Sequence, residues 1–275
     1  MAEKKKTNAP LNYVKPFGSI KDMLAQQVIE NGEKIAYMYR GGEGIVNVTY
    51  REFYDDVRAL GTAIHTLVQG DAHVGCSGEN SYNWIVVYLA ALTGSTVFCP
   101  IDKDLPENDM VNIIVGGEQS IIFCDAKREK LLASIRDRLP DVKYFVCFDR
   151  EEDDGEFLSY KKLLQKGRER YAAGERAYER SQTASDELKM LIYTSGTTGL
   201  AKGVMLSEHN LCSAVYYGLQ RSTIRDIGLS VLPYHHSYES VAGLLVAIRC
   251  GATLFINDSI KRVLKNMQVC RPQYI

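Results

Sequence analysis

Short apolar runs and longer, helically periodic segments alternate along most of the chain, the pattern that a mainly parallel sheet covered by helices leaves in a sequence. Thr49 followed by Glu52 makes a capping box and predicts a helix running to about Val68. A strand at 74–77, a helix at 81–92 and a strand at 96–99 closed by Pro100 continue the alternation. Helix 107–115 with strand 120–124, and helix 126–139 with strand 144–148, complete a first series of α/β units. Ahead of them, residues 35–40 and 44–48 flank Gly41-Gly42 and read as a small hairpin at the sheet margin.

The pattern breaks between residues 149 and 187. Asp149-Arg-Glu-Glu-Asp-Asp-Gly155 is an acidic, solvated turn, and 157–180 is a highly charged helical stretch, so the segment is expected to be a boundary or a surface excursion. A buried strand resumes at 188–193. It is followed by helix 207–220, strand 227–232, helix 236–249, strand 252–256 and helix 260–267, with 271–275 approaching a further strand. The fold class is therefore α/β, helices packed on mainly parallel β-sheets. Residues 1–34 form a tail and leading helix, and 35–275 form one body.

Composition narrows the function. With 33 Lys plus Arg against 34 Asp plus Glu the chain carries no basic footprint for nucleic acid. The longest apolar run, 84–92, is far short of the roughly 20 residues a membrane-spanning helix needs, which excludes a transmembrane segment yet is compatible with peripheral membrane proximity. Met1–Lys6 has no apolar stretch behind it, so a cytoplasmic location is expected. Seven cysteines, odd in number and without a C-x-x-C pair, give neither a disulfide framework nor a zinc site. Cys76, Cys99, Cys124 and Cys147 fall in or beside strands, where a thiol packs as a small hydrophobe.

The most informative segment joins the strand at 188–193 to Thr194-Ser195-Gly196-Thr197-Thr198-Gly199 and then Lys202. Glycines let backbone N–H groups turn toward a ligand, hydroxyls donate to phosphate oxygens, and a lysine brings a mobile positive charge to the β- and γ-phosphates. Polar turns of this composition are also common wherever strands end. Here the strand, hydroxyls, glycines and lysine arrive in one ordered block, which favours a triphosphate site. It is not a Walker A loop, since counting from Gly196 puts Ala201 where glycine belongs and Gly203 where the metal-binding hydroxyl belongs. G-x-G-x-x-G does not occur, and Ser195 lacks the G-x-S-x-G surround of a hydrolase nucleophile.

The run from Tyr193 through Asn210 closely resembles the signature of the adenylate-forming (AMP-binding) superfamily, with Ala201 where that family usually has proline. Leu232-Pro-Tyr-His-His-Ser-Tyr-Glu239 resembles the next family motif in its long-chain fatty acyl-CoA synthetase form, in which histidine precedes glutamate by three residues. Gly78–Trp84 and Pro100-Ile-Asp102 resemble less specific family packing and turn segments. The resemblance covers the chain from about Ile35 onward. It implies that Thr194, Ser195, Gly196, Thr197, Thr198, Gly199 and Lys202 hold ATP and that Thr194 contacts Mg2+. It further implies that His236 and Glu239 stand at the adenylate and acyl pocket.

The implied chemistry has two steps, attack of a carboxylate on the α-phosphorus of ATP and transfer of the acyl group to a thiol, usually coenzyme A. ATP, a fatty acid and CoA are the implied partners. The resemblance also implies that the adenine and ribose motifs and the C-terminal lysine domain fall outside this chain, which alone is then expected to be inactive in thioester formation. Competing expectations are a medium-chain, aryl or amino acid substrate, a carrier-protein acceptor, or a non-catalytic homologue. Without the resemblance, His235 and His236 read as a strand-to-helix turn, while His65 and His73 read as surface residues.

Overall fold

In a computed structural model, residues 10–68, 72–194, 201–222, 224 and 226–275 are described. Helix α1 (Ile20–Asn31) leads into β1 (Ile35–Gly41) and β2 (Gly44–Thr49), then α2 (Tyr50–Val68), β3 (His73–Ser77), α3 (Tyr82–Leu92) and β4 (Val97–Ile101). Next come α4 (Glu107–Gly116), β5 (Gln119–Cys124), α5 (Ala126–Ser134), β6 (Tyr144–Cys147), β7 (Phe157–Ser159), α6 (Tyr160–Ala172) and α7 (Ala177–Arg180). The order closes with β8 (Leu188–Thr194), β9 (Lys202–Ser207), α8 (Glu208–Arg221), β10 (Ile227–Ser230), a π-helix (Tyr238–Leu245), α9 (Val246–Cys250), β11 (Thr253–Ile256) and α10 (Val263–Cys270).

The described strands form two sheets, β7-β6-β5-β3-β4-β8-β9 and β10-β11-β1-β2. All pairings are parallel except β8 with β9 and β1 with β2. Adjacent strands β4 and β8 send the chain in opposite directions, β4 back across β3 toward β5 and β8 outward to β9. That divergence makes their carboxyl ends a topological switch point, the kind of place where α/β sheets bind ligands.

Local sequence explains most of these elements. The Thr49–Glu52 box forms, with Glu52 N–H donating to Thr49 Oγ1 at 3.2 Å and Thr49 N–H to Glu52 Oε2 at 2.8 Å. Ser81 accepts from Trp84 N–H and starts α3, whose residues are nearly all buried, as its unbroken apolar sequence requires. Trp84 on that helix packs on Phe98 of β4 at 5.1 Å and on Tyr234 beyond β10 at 5.2 Å between ring centroids. One core cluster accordingly takes in both sheets.

The hairpin at 35–48 forms at the margin of the second sheet as expected, with β2 at its edge and β1 between β2 and β11. Several expectations change. The charged stretch at 157–180 begins as a strand, β7 pairing with β6, before Ser159 caps α6. Helix 126–139 stops at Ser134 and gives way to a short 3-10 turn at Arg136–Arg138. Helix 236–249 starts two residues late and is a π-helix for its first part. Residues 202–207 form β9, a strand that sequence patterning did not indicate, since four of its six positions are exposed. His73 is half-buried, with Nδ1 2.6 Å from the Gly117 carbonyl, and His65 is half-buried too. Cys76, Cys99, Cys124 and Cys147 are buried free thiols. No helix among the described residues is long and apolar enough to cross a membrane.

The β8–β9 register carries one irregularity. Leu188 pairs with Ser207 and Met190 with Leu206, so Lys189 is an extra residue, a bulge that turns its side chain inward. Lys189 is 0% exposed, and its ammonium donates to the carbonyls of Gly94 at 2.6 Å and Thr96 at 3.0 Å, in the turn before β4. Glu208, 2% exposed at the start of α8, is attracted by Lys189 and accepts from Ile20 N–H at 2.5 Å. A buried charge that loses its counter-charge is among the more damaging changes a core can suffer. Lys189→Met is therefore expected to lower the unfolding free energy by about 3–5 kcal/mol in urea titration, and Lys189→Met with Glu208→Gln to lower it by less than the single change.

Candidate active site

Thr194, the last residue of β8, and Lys202, the first of β9, are register partners across the antiparallel pair, and both are exposed. Ser195, Gly196, Thr197, Thr198 and Gly199 lie outside the described residues. The two ends of the predicted phosphate segment are thus held on adjacent strands at the sheet edge. Tyr193, one residue back, is half-buried and packs against the apolar residues beneath.

Asp102 belongs to the same edge. Phe98 of β4 pairs with Met190 of β8, so four residues further along each parallel strand stand Asp102 and Thr194. The carboxylate of Asp102 is 3.6 Å from His235 Nε2, beyond a good hydrogen bond but close enough to attract a protonated ring. Burial is the larger influence and lowers the His235 pKa, favouring the neutral ring, while Asp102 acts in the opposite sense. His236 stacks beside it, ring centroids 4.5 Å apart, and is exposed.

Asn80, just beyond β3, fixes this histidine turn. Its amide donates to the Leu232 carbonyl at 2.7 Å, and its Oδ1 accepts from Tyr234 N–H at 3.0 Å. The turn is closed internally by His236 N–H to the Pro233 carbonyl at 3.1 Å, and the His236 carbonyl accepts from Ser240 N–H at 3.0 Å. The loops after β3 and β4 in one sheet and after β10 in the other thereby meet.

Glu239 has a different setting from the exposed His236. It is 6% exposed in the first turn of the π-helix, and its carboxyl is hydrogen-bonded to the Ser230 hydroxyl, which also lies 3.2 Å from Tyr234 OH. A Cβ at Gly243, one turn on, would come within 2.9 Å of the Glu239 carboxyl and displace it. Glu239 and Ser230 line a cavity of about 720 Å³ whose other walls include Gly218, Ala242, Val246 and Leu254. The sequence marked Thr194, Lys202, His236 and Glu239. Asp102 and the segment around Asn80 stood out only as packing and turn elements, because their partners lie more than a hundred residues away.

Desolvation raises the Glu239 pKa above the ordinary 4.5, against the opposing effect of the Ser230 hydrogen bond. A carboxyl whose folded pKa is raised stabilises the fold fully below its unfolded value and loses that contribution as pH rises through the folded one. Glu239→Gln cannot ionise. Its stability relative to the parent sequence is therefore expected to improve as pH increases from about 4.5 and to level off above the folded pKa, as read from paired urea titrations.

The sequence matches the family described as AMP-binding enzyme over residues 24–275. It is 26% identical over 264 residues to long chain acyl-CoA synthetase 4 of Arabidopsis thaliana, covering 91% of this chain and 38% of the relative. It is 29% identical over 239 residues to a linear gramicidin synthase of Brevibacillus parabrevis, covering 85% of this chain and 3% of the relative. Its fold is similar to the A domain of a carboxylic acid reductase from Segniliparus rugosus, solved with AMP and a co-purified carboxylic acid. That match has a TM-score of 0.79 at 16% identity and covers 92% of this chain and 47% of the other. The chain thus spans less than half of each of these proteins.

Proposed function

The chain belongs to the family of AMP-binding enzymes, and from that premise we propose that the protein carrying it joins a carboxylic acid to AMP, with long-chain fatty acids as substrates and coenzyme A as the acyl acceptor. The observation that carries the reading is the pairing of Thr194 with Lys202 beside the switch point between β4 and β8. An ammonium and a hydroxyl held on adjacent strands at a sheet's carboxyl edge suit a polyphosphate, and both are exposed to receive one.

In the first step a carboxylate oxygen attacks the α-phosphorus and pyrophosphate departs. Lys202 stabilises the charge that grows on the leaving β- and γ-phosphates, the type of preorganised electrostatic help that most lowers such barriers. The donor set also fits Mg2+, which takes oxygen ligands and keeps several from phosphate and water. Thr194 would contribute one neutral oxygen, and the ion would neutralise phosphate charge. Ser195, Gly196, Thr197, Thr198 and Gly199 would complete the phosphate contacts through hydroxyls and backbone N–H groups.

The fatty-acid reading draws on the Leu232–Glu239 block and on the cavity behind it. His236 would form part of the wall between adenylate and acyl group, and Glu239, held by Ser230, would fix the mouth of the cavity. Gly218, Ala242, Gly243 and Val246 leave space for an alkyl chain without offering it polar partners. The 29% identity to the gramicidin synthase supports a second reading, in which the acid is an amino acid and the acceptor a carrier-protein thiol.

The test is ATP–pyrophosphate exchange by the full protein with palmitate, aryl acids and amino acids in turn, followed by Lys202→Ala. Palmitate-dependent exchange is expected, reduced in the variant by roughly 1–3 kcal/mol of transition-state stabilisation, or about five- to 150-fold in kcat/KM. Exchange driven by amino acids alone would reverse the substrate assignment, and an unaltered Lys202→Ala rate would remove Lys202 from the phosphate site.

A further inference from the structure

A glycine inside a helix costs stability relative to alanine, so its presence asks for a reason. Packing supplies one at several helical glycines of this chain. A Cβ at Gly61 of α2 would run into the Tyr178 ring, and one at Gly167 of α6 into the Ala59 carbonyl. Gly218, in the last turn of α8, has no such neighbour: the nearest atom to a Cβ there is Val246 Cγ2 at 3.6 Å, an ordinary contact. Nor does the backbone require it, since Gly218 is not among the glycines of positive φ.

What Gly218 borders is the cavity of about 720 Å³ that has Glu239 and Ser230 in its wall. Its depth follows from the elements around it. Glu239 and Ser230 are bonded to one another at the carboxyl end of β10. Val246 comes seven residues after Glu239 along the π-helix and into α9, a distance of roughly 10 Å at helical rise. Leu254, also in the wall, pairs with Gly228, two residues before Ser230 on β10. Gly218, facing Val246, therefore sits well behind Glu239, and Arg221, Ser222 and Ile224 carry the wall on beyond it.

We propose that Gly218 is a specificity-determining residue for the acid substrate, its missing side chain keeping the far part of the cavity open so that a long alkyl chain extends past Val246. The inference rests on the reading of this cavity as the acyl site. An alkyl chain has no polar group with which to be recognised, so the length and width of the space decide which chain is accepted. Any larger residue at 218 would project toward Val246 and close the passage to all but shorter chains. The helix keeps an unfavourable residue at this position because a better helix former would fill the space.

The test is ATP–pyrophosphate exchange by the full protein with palmitate and with octanoate, for the parent sequence, Gly218→Leu and Gly218→Ala. In Gly218→Leu the ratio of palmitate to octanoate kcat/KM should fall by about tenfold or more, with a raised KM for palmitate. Gly218→Ala should lower the ratio by a smaller factor and raise the urea midpoint, because alanine is the better helix former and its methyl meets only Val246. An unchanged ratio in Gly218→Leu, or in Gly218→Ala should the leucine variant not fold, would overturn the role of Gly218. So would an equal loss with both acids, or a lower urea midpoint in Gly218→Ala. Each of those results leaves the acyl reading standing, whereas a parent protein without exchange on either fatty acid would remove that reading and the role of Gly218 together.

Discussion

The buried ammonium of Lys189 is the constraint on which the candidate site depends. A bulge in β8 turns it inward, two carbonyls before β4 receive it, and Glu208 stands as the counter-charge where β9 passes into α8. The carbonyl contacts fix β8 to β4, and the attraction to Glu208 acts toward α8, at the end of the strand pair opposite the candidate phosphate segment. From that anchor the antiparallel register runs to Thr194 opposite Lys202. A one-residue slip would turn alternate side chains to the other face of the sheet, so a charge that tolerates only one burial geometry protects the placement of both residues.

The rest of the site is organised by residues that join distant parts of the chain. Asn80 ties the loop after β3 to the turn after β10, and Trp84 on α3 packs against Phe98 of β4 and Tyr234 of that turn. His235 and Asp102 face each other across the same edge, while Glu239 turns away into the cavity with Ser230. The exposed rim carries Thr194, Lys202 and His236, while the cavity behind it has Gly218, Ala242, Val246 and Leu254 among its walls.

Much of the fold could be read from the sequence because its signals were local. The Thr49–Glu52 box, the unbroken apolar run of α3 and the β5 and β6 strands all declare themselves within a few residues, and each forms. Strand β9 did not, since an edge strand with exposed Val204 and Met205 lacks the alternation that marks a half-buried strand. The strand, hydroxyls, glycines and Lys202, arriving in one ordered block, marked the candidate phosphate segment. The inward turn of Lys189 had no such mark, because nothing local in the 188–193 run signals the bulge that produces it. Asp102 and Asn80 were equally silent, their partners lying 133 and about 150 positions away in sequence.

The account turns on whether the β8–β9 edge is a polyphosphate site, and the most direct measurement is titration of magnesium pyrophosphate into the nitrogen-15-labelled chain, following backbone amide shifts. Binding should move the signals of Thr194, Lys202 and Gly203, weaken steeply with added salt, and leave α6 and β7 on the far side of the sheet unchanged. Shifts centred elsewhere, with Thr194 and Lys202 unaffected at saturation, would contradict it.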